Sequence, residues 1–595
     1  MEIELEGQNN RFFGELQDPE ENLLDYDLSN FSFMSFQNGA MEEELEIEEA
    51  KIEEEKKIEE ERVQRRGDEA EEEIDGEEDE NNLQQNYAWE EKNSFYFGLW
   101  TPRWLMQFRE RSGPRNLPLN TSLDPFQIFS LFFDDEMLDL IVRNSNIYAE
   151  YVIADLKARD SIPHYLQGWV EIQKEELVCF LCIYIYIGIV KLPNLQDYWK
   201  VDSVFPEHIV MKLLSYRRFI ILSKFLHLSD IRNEDPNDKL SKVRPFLTPL
   251  LARWRKFYYP HKEITIDERM IKFTGRLSFK QYIKGKRHPY GIKAFLLADS
   301  TNGYVYNMDI YTGKNENGSR NATCTVVKKL LEGLAFKGHC LYLDNYFSTV
   351  PLLKELESLM IGCSGTLRKN RKYIPEEIKE PGDMNLNEIK VYKTGNLVSL
   401  VWMDNKPVRF LTNFEGGFSR IQKRTGNGLE IIIKPTVISN YNHFKSGVDR
   451  SDQYGAYYSN THRSTKWWKK IFTNLIETTI LNSYIIYKES LPREDKGFLS
   501  FRKELVGQIG RRFRNDIPEG FRSAINTEHT LMKSLDGKWR NCKVCSKTDH
   551  RKQTSYMCPI FNFHCHPECF IKLHTMPIVY RNKASLNIYK IQIRN

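Results

Sequence analysis

The sequence predicts a multidomain α/β protein, and three observations carry that prediction: its length, a change of hydrophobic period near residue 260, and a tail dense in cysteine and histidine. At 595 residues the chain has room for three or four folded units, taking about 100 to 200 residues for each. Between 118 and 255 apolar residues recur at spacings of three and four, whereas after Pro260 they form short runs bounded by Gly, Asn or charged residues. The stretch from Lys533 to His574 is too short and polar to build a core of its own.

Charge separates the head of the chain from its body. Residues 1–80 hold 31 acids and 7 bases, while the other 515 residues hold 77 bases and 52 acids. From Glu42 to Glu80 the sequence is dominated by Glu and has almost no aromatic residues, so it cannot bury enough apolar surface to offset the entropy of ordering. Residues 1–90 are therefore expected to be disordered, either as a solubilising tail or as an intramolecular competitor for a basic DNA-binding surface. A basic body with 13% aromatic residues is the composition of a chain that neutralises phosphates.

Met1-Glu2-Ile3-Glu4 has neither the basic start nor the apolar core of a secretory signal. The longest apolar run, Leu177–Val190, is 14 residues, which suits a buried helix and is too short for a bilayer. A soluble intracellular protein without a membrane partner is expected, with its ten cysteines as thiols or metal ligands.

The helical period covers Pro125–Ile141, Glu171–Val190 and Ile209–Leu228. Cys179 and Cys182 form a CxxC inside the second of these, with no other ligand pair nearby, and read as core thiols. Strands are expected at Glu263–Asp267, Gly291–Ala298, Tyr304–Tyr311 and His339–Leu343, with a helix over 321–335. A second strand-rich stretch, 373–435, includes Leu397–Trp402 and Pro407–Asn413 and reads as an insertion. The helical period returns over Lys466–Lys488.

Three acids sit where a strand or loop would present them at an edge. Asp267 follows Ile264-Thr265-Ile266, Asp344 follows Leu341-Tyr342-Leu343, and Asp449 follows Gly447-Val448, with Asp452 one helical turn later. An ionised carboxylate among apolar neighbours is costly unless a cation compensates it, and several converging would hold Mg²⁺, which prefers oxygen ligands. Two such ions could clamp an in-line phosphoryl displacement. Taken singly, an Asp at a strand end is more often a turn or helix-cap residue.

Ten motifs, in order, resemble the piggyBac family of transposases. They are Lys191-Leu192-Pro193 with Tyr198-Trp199, Phe225-Leu226-His227, Asp238 to Pro245, Ile266-Asp267-Glu268, Gly291-Ile292-Lys293, Tyr311 to Lys314, Leu343 to Phe347, Gly447 to Asp452, and Lys466-Trp467-Trp468. The resemblance implies that Asp267, Asp344 and Asp449 are the catalytic, Mg²⁺-holding triad and that Asp452 is an additional acid. It implies a ribonuclease H-like catalytic core (261–372 and 436–460) interrupted by a strand-rich insertion (373–435). It also implies a helical dimerisation and DNA-binding domain (118–260 and 461–532) and a C-terminal zinc cross-brace domain (533–580). The implied activity is endonuclease and strand transferase: ends are nicked, pass through hairpin intermediates and are joined at TTAA targets, by a homodimer acting on double-stranded DNA, with two Mg²⁺ ions and no small-molecule substrate. A host-adapted DNA-binding or chromatin protein, or a domesticated nuclease for programmed DNA elimination, would carry the same motifs.

Bases crowd the loop after Asp267: Lys280, Lys284, Lys286, Arg287 and His288, followed by Lys293. Such a loop would grip phosphates beside the scissile bond, each contact adding about −0.9 to the slope of log affinity against log salt. Arg463 and Lys466 precede Trp467 and Trp468, of which at least one is expected in the core. In the tail, Cys542, Cys545, Cys558, Cys565, Cys569 and His574 are the expected Zn²⁺ ligands. Against the family's pattern of two interleaved sites, Cys542, Cys545, Cys565 and Cys569 make one complete set. Cys558 and His574 would need His550, His564 or His566 to complete a second. With Arg511-Arg512-Phe513-Arg514 upstream, the basic tail reads as a nuclear import signal, so nuclear localisation is expected.

Overall fold

A computed structural model describes residues 87–569 apart from 101–104, 106, 119–122, 164, 165, 167, 202–205, 285, 287, 314–321, 426–427, 459–463, 465, 491–496, 514–531, 535–537, 543–544, 546–551, 559–562, 565 and 568. Within it, 87–168 and 227–502 form one compact unit, and 169–226 with 503–569 form another. The helices that matter below are α1 (Pro125–Ser130), α2 (Asp135–Ala158), α3 (Lys174–Ile189), α4 (Tyr216–Phe225), α5 (Arg244–Phe257), α6 (Ala322–Leu330), α7 (Val350–Ser358), α8 (Thr436–Phe444), α9 (Gly447–Tyr458), α10 (Trp467–Ser490) and α11 (Phe498–Phe513). The strands are β1 (Glu90–Lys92), β2 (Glu263–Lys272), β3 (Gln281–Tyr282), β4 (Tyr290–Asp299), β5 (Val305–Ile310), β6 (Cys340–Leu343), β7 (Gly362–Thr366), β8 (Ile389–Thr394), β9 (Leu397–Met403), β10 (Pro407–Thr412), β11 (Phe418–Thr425) and β12 (Gly428–Pro435).

In the first unit, β1 to β10 build a sheet that has ten strands among the described residues, ordered β1-β8-β9-β10-β7-β6-β2-β4-β3, with β5 also on β4. At its centre β2 runs antiparallel to β4 and parallel to β6, and β6 runs parallel to β7. A parallel pair needs a crossover. Helix α7 supplies it between β6 and β7, started by Thr349, whose hydroxyl accepts the Leu352 N–H, and by a proline in the first turn. All four residues of β6 are buried, the continuous apolar run of a strand covered on both faces.

The stretch expected as an insertion does not form a layer of its own. Strands β8, β9 and β10 continue the central sheet, because Phe410, Leu411 and Thr412 of β10 pair with Thr366, Gly365 and Ser364 of β7; only β11 and β12 form a separate pair. The expectation of disorder through residue 90 is corrected at its end: β1 adds to the edge of β8, with Glu90 opposite Lys393, and the Trp89 indole donates to the Tyr373 carbonyl. The rest of that acidic stretch, residues 1–86, lies outside the described residues.

Two expected helices are each broken by a cap. Asp134 accepts the Met137 N–H and starts α2, ending the run that began at Pro125. Ser215 does the same for α4 through Arg218 N–H. Near Lys466–Lys488 the structure has α10, which is bound to the sheet by side chains. Asn482 accepts the Val305 N–H and donates to the Val305 carbonyl, and Thr479 accepts the Trp254 indole N–H from α5. These bonds hold α10 and α5 within the sheet-bearing unit, so the structure divides the expected helical domain differently, leaving 169–226 in the other unit.

The second unit contains α3 and α4. Glu176, fully buried on α3, receives two 2.7 Å bonds from the Arg218 guanidinium. Cys179 and Cys182 are buried, and burial pushes the Cys179 thiol up to about 12, so both are core thiols with no tendency to ionise. Among the described residues no helix is long and apolar enough to cross a membrane.

Candidate active site

The register of two parallel strands creates the site. Ile266 of β2 pairs with Leu343 of β6, so Asp267 and Asp344, each one residue further, emerge side by side at the same sheet edge. Asp344 sits just past the end of β6, where the chain turns: its carboxylate accepts the Tyr346 N–H at 3.0 Å and its carbonyl accepts the Ser348 hydroxyl at 2.8 Å. That hydroxyl occupies the place a side chain would take at Gly365, where an added Cβ would lie 2.0 Å from Ser348 Oγ. Arg371 steadies the same turn by donating to the carbonyls of Asn345 and Tyr346.

Asp449 arrives on the first turn of α9. The helix approaches β2 closely because its first residue is Gly447: a Cβ there would be 2.7 Å from Thr265 Cγ2 and 2.9 Å from the Asp299 carbonyl. Thr265 also donates to the carbonyls of Tyr342 and Lys445, linking β2, β6 and the α8–α9 connection. The result is an open cavity of about 140 Å³ lined by Asp267, Asp344 and Asp449, with Thr265, Tyr342, Tyr441 and Lys445 among its walls. Asp449 and Lys445 are exposed at it.

Two of the lining acids, Asp267 and Asp344, form a close acidic group with Glu268, one carboxylate oxygen of each lying within 4.8 Å of the others. Asp449 lines the cavity but stands outside that group. Burial lifts the Asp267 carboxyl, with Glu268 and Asp344 adding to it and Lys286 opposing, and pushes it up to about 8; burial and Glu268 likewise raise Asp344. Among the described residues, Glu268 Oε2 is buried with no hydrogen-bond partner. Crowded, partly desolvated carboxylates with an unsatisfied oxygen suit a hard divalent cation, whose charge reverses the local preference for protonation.

A family model described as Transposase IS4 matches residues 124–484, a span that contains the whole cavity. The chain belongs to this transposase family, as a piggyBac member. It is 28% identical over 482 residues to the human piggyBac transposable element-derived protein 3, covering 76% of each chain, and 23% identical over 426 residues to the human piggyBac transposable element-derived protein 2, covering 69% of this chain and 68% of that one. A cryo-EM structure of a piggyBac transposase synaptic complex with hairpin DNA shares its fold, with a TM-score of 0.61 and 24% identity, covering 78% of this chain and 100% of that one.

The other predicted positions of this piggyBac chain fall at several places. Asp452 does not line the cavity; its carboxylate is held by the buried Arg269 guanidinium. Lys286 lies beside the acids, 3.3 Å from Glu268. Burial works against its charge, but Glu268, Asp267 and Asp449 together hold its ammonium above the ordinary range. Lys293 lies over the rings of Tyr346 and Phe295. Lys284 is exposed, whereas Lys280 is buried and is not part of an open phosphate-gripping face. Lys466 lies 5.8 Å from the Tyr148 ring centroid. Arg287 and Arg463 lie outside the described residues. Trp468 is buried against His227, and Trp467 meets Phe279 edge-on. Sequence reasoning missed Glu268, Tyr441, Lys445 and Arg371 as site residues; a second acid directly after Asp267 was the available signal for Glu268.

In the tail, Cys542, Cys545, His566 and Cys569 bring one ligand atom each within 4.8 Å of one another. His566 joins three of the expected cysteines here, and Cys565, like His574 and His550, lies outside the described residues. The His566 ring is oriented for the role: Nε2 donates to the Gln553 carbonyl at 3.0 Å, and Nδ1 lies 3.3 Å from Cys545 Sγ, turned toward the cysteines. Cys558 ends a short strand, Tyr556–Cys558. Three thiols and one imidazole at this spacing fit tetrahedral Zn²⁺.

Proposed function

We propose that the protein is a DNA transposase of piggyBac type that cuts transposon ends by metal-dependent phosphodiester hydrolysis and transesterification, passes through hairpin intermediates and joins the ends at TTAA targets. The observation that carries this reading is the convergence of Asp267, Asp344 and Asp449 on one open cavity. The strand order β5-β4-β2-β6-β7, three antiparallel strands followed by two parallel ones, supports a ribonuclease H-like core.

Asp267, Asp344 and Asp449 would hold Mg²⁺, two ions in the full complex, with Glu268 as an additional oxygen donor. When bound, the metal activates water and offsets charge on the scissile phosphate. The chain's own residues do the positioning. The turn held by Arg371 and Ser348 fixes Asp344, the Gly447 contact fixes Asp449, and Lys286, Lys445 and Lys293 supply positive charge where a phosphate backbone would approach. The Cys542, Cys545, His566 and Cys569 module would bind Zn²⁺ and, with Lys538, Arg540 and Lys552 around it, contact end DNA. Homodimerisation, the nuclear site of action and the role of the acidic head belong to the same proposal.

A second reading is a host-adapted DNA-binding protein without transposition, favoured by human relatives that are named as derived from transposable elements. Excision of a DNA fragment bearing the cognate ends, with wild type beside Asp267→Ala and Asp344→Ala, separates the two. Cleavage that both variants abolish supports the transposase; binding without cleavage by wild type supports the second reading. Breaks without reinsertion indicate a nuclease for DNA elimination.

A further inference from the structure

We infer that Arg269 is a positioning residue for the acidic cavity, and that Asp452 acts through it, as an anchor of α9, without itself touching the metal; this rests on the reading of the cavity as a cation site. Arg269 lies two residues after Asp267 on β2, so the two side chains leave the same face of the strand. Its side chain is buried, and every guanidinium nitrogen is engaged. Nε donates to Asp452, Nη2 to Ser451 Oγ at 2.7 Å, and Nη1 to Thr478 Oγ1 at 2.9 Å with Asn474 Oδ1 at 3.5 Å.

These partners belong to two helices. Ser451 and Asp452 are on α9, one turn beyond Asp449, and Thr478 and Asn474 are on α10. One planar cation therefore fastens both helices to the strand that carries Asp267. Gly447 holds the start of α9 against Thr265, and Arg269 holds its next turn, so the helix has two fixed points with Asp449 between them. Rotation of α9 about its axis, which would swing Asp449 away from the cavity, must break the fork. A lysine could keep the charge at 269 but offers no planar set of donors to four separate oxygens. Asp452 spends its carboxylate on this contact, and it is absent from the cavity lining.

The test is Mn²⁺ affinity measured by electron paramagnetic resonance on the full chain, with no DNA, for wild type and for Asp267→Ala, Arg269→Gln, Arg269→Lys, Asp452→Asn, Ser451→Ala and the double variant Arg269→Gln/Asp452→Asn. The sites lost in Asp267→Ala define the cavity. Orienting residues behind metal ligands typically change affinity by about 10- to 100-fold. Arg269→Gln and Asp452→Asn are each expected to weaken cavity Mn²⁺ by about 10-fold, the double variant no more than either alone, and Arg269→Lys to recover only part. Ser451→Ala, which removes one neutral acceptor, gives a smaller loss and remains informative if the charge variants do not fold.

Cavity binding unchanged in Arg269→Gln and Ser451→Ala overturns the inference. So does abolition of binding by Asp452→Asn while Arg269→Gln binds normally, which would make Asp452 a ligand. If Asp267→Ala loses no Mn²⁺ site at all, the cation-site reading itself fails, a distinct result.

Discussion

Replacing Gly447 with alanine perturbs the site through a single carbon. The added Cβ would stand 2.7 Å from Thr265 Cγ2, 2.9 Å from the Asp299 carbonyl oxygen and 3.1 Å from Ser300 Cα. Two of these neighbours are backbone atoms of the sheet and its following turn, which cannot swing aside as a long side chain would. Restoring an ordinary carbon contact of about 3.5 Å requires the start of α9 to move outward by about 0.8 Å, carrying Asp449 with it. Overpacking of this kind costs about 1–3 kcal/mol, and a misplacement near 1 Å in a catalytic constellation costs about 10²-fold in rate. Gly447→Ala is therefore expected to lower the melting temperature by a few degrees in differential scanning fluorimetry and to reduce end cleavage about 100-fold while DNA binding persists. Wild-type cleavage by a folded Gly447→Ala protein would refute the claim that close packing at this glycine sets Asp449.

Further predictions concern the cavity acids, the tail cluster and a buried ion pair. Because the Asp267 carboxyl is pushed up to about 8, Mg²⁺ binding near pH 7 is expected to release about one proton; calorimetry in two buffers of different ionisation enthalpy measures it, and Asp267→Asn should abolish it. The sign for stability is opposite to that of a salt-bridged acid: with its folded value above the unfolded value near 4, Asp267 makes the metal-free protein lose stability as pH rises from about 4 to about 8, and Mg²⁺ should offset that loss. His566→Ala is expected to weaken Zn²⁺ retention in a chelator competition assay, and Cys542→Ala to abolish it at this site; equal retention by all three proteins would exclude the tail site. Arg218→Ala strands the buried Glu176 carboxylate and should destabilise the protein by about 3–5 kcal/mol, read from chemical denaturation, whereas no loss would mean that the pair is not buried in solution.

What the sequence disclosed and what it withheld divide along local and non-local lines. Asp267 and Asp344 were legible because each follows an apolar run that must be a buried strand, and Asp449 through the Gly447 to Asp452 motif of the family resemblance. Their adjacency was not legible, since it depends on the parallel register of Ile266 with Leu343, which pairs segments 77 residues apart. The family resemblance supplied that link. Strand β1 was hidden for the same reason: Glu90, Glu91 and Lys92 have no strand-like pattern and are ordered by a partner 300 residues away. In the stretch 373–435 the strands could be read but not their destination, because an alternating pattern says which face is buried and not which edge is paired.

Asp452 shows the limit at single residues. Its place one turn after Asp449 suggested a fourth site acid, yet a buried arginine two positions from Asp267 captures it. Nothing in the local spacing announces that pair. In the tail, cysteine spacing pointed to a cluster of candidate metal ligands, but nothing in that spacing brought His566 to Cys542, Cys545 and Cys569.

The central claim is that the acids of the cleft hold divalent cations, and anomalous diffraction from crystals of the full chain soaked in Mn²⁺ tests it most directly. The account predicts a manganese peak between the carboxylates of Asp267 and Asp344, with Asp449 facing it across the cavity. Well-ordered side chains at these three positions with no manganese among them, under conditions where other sites on the molecule fill, would contradict it.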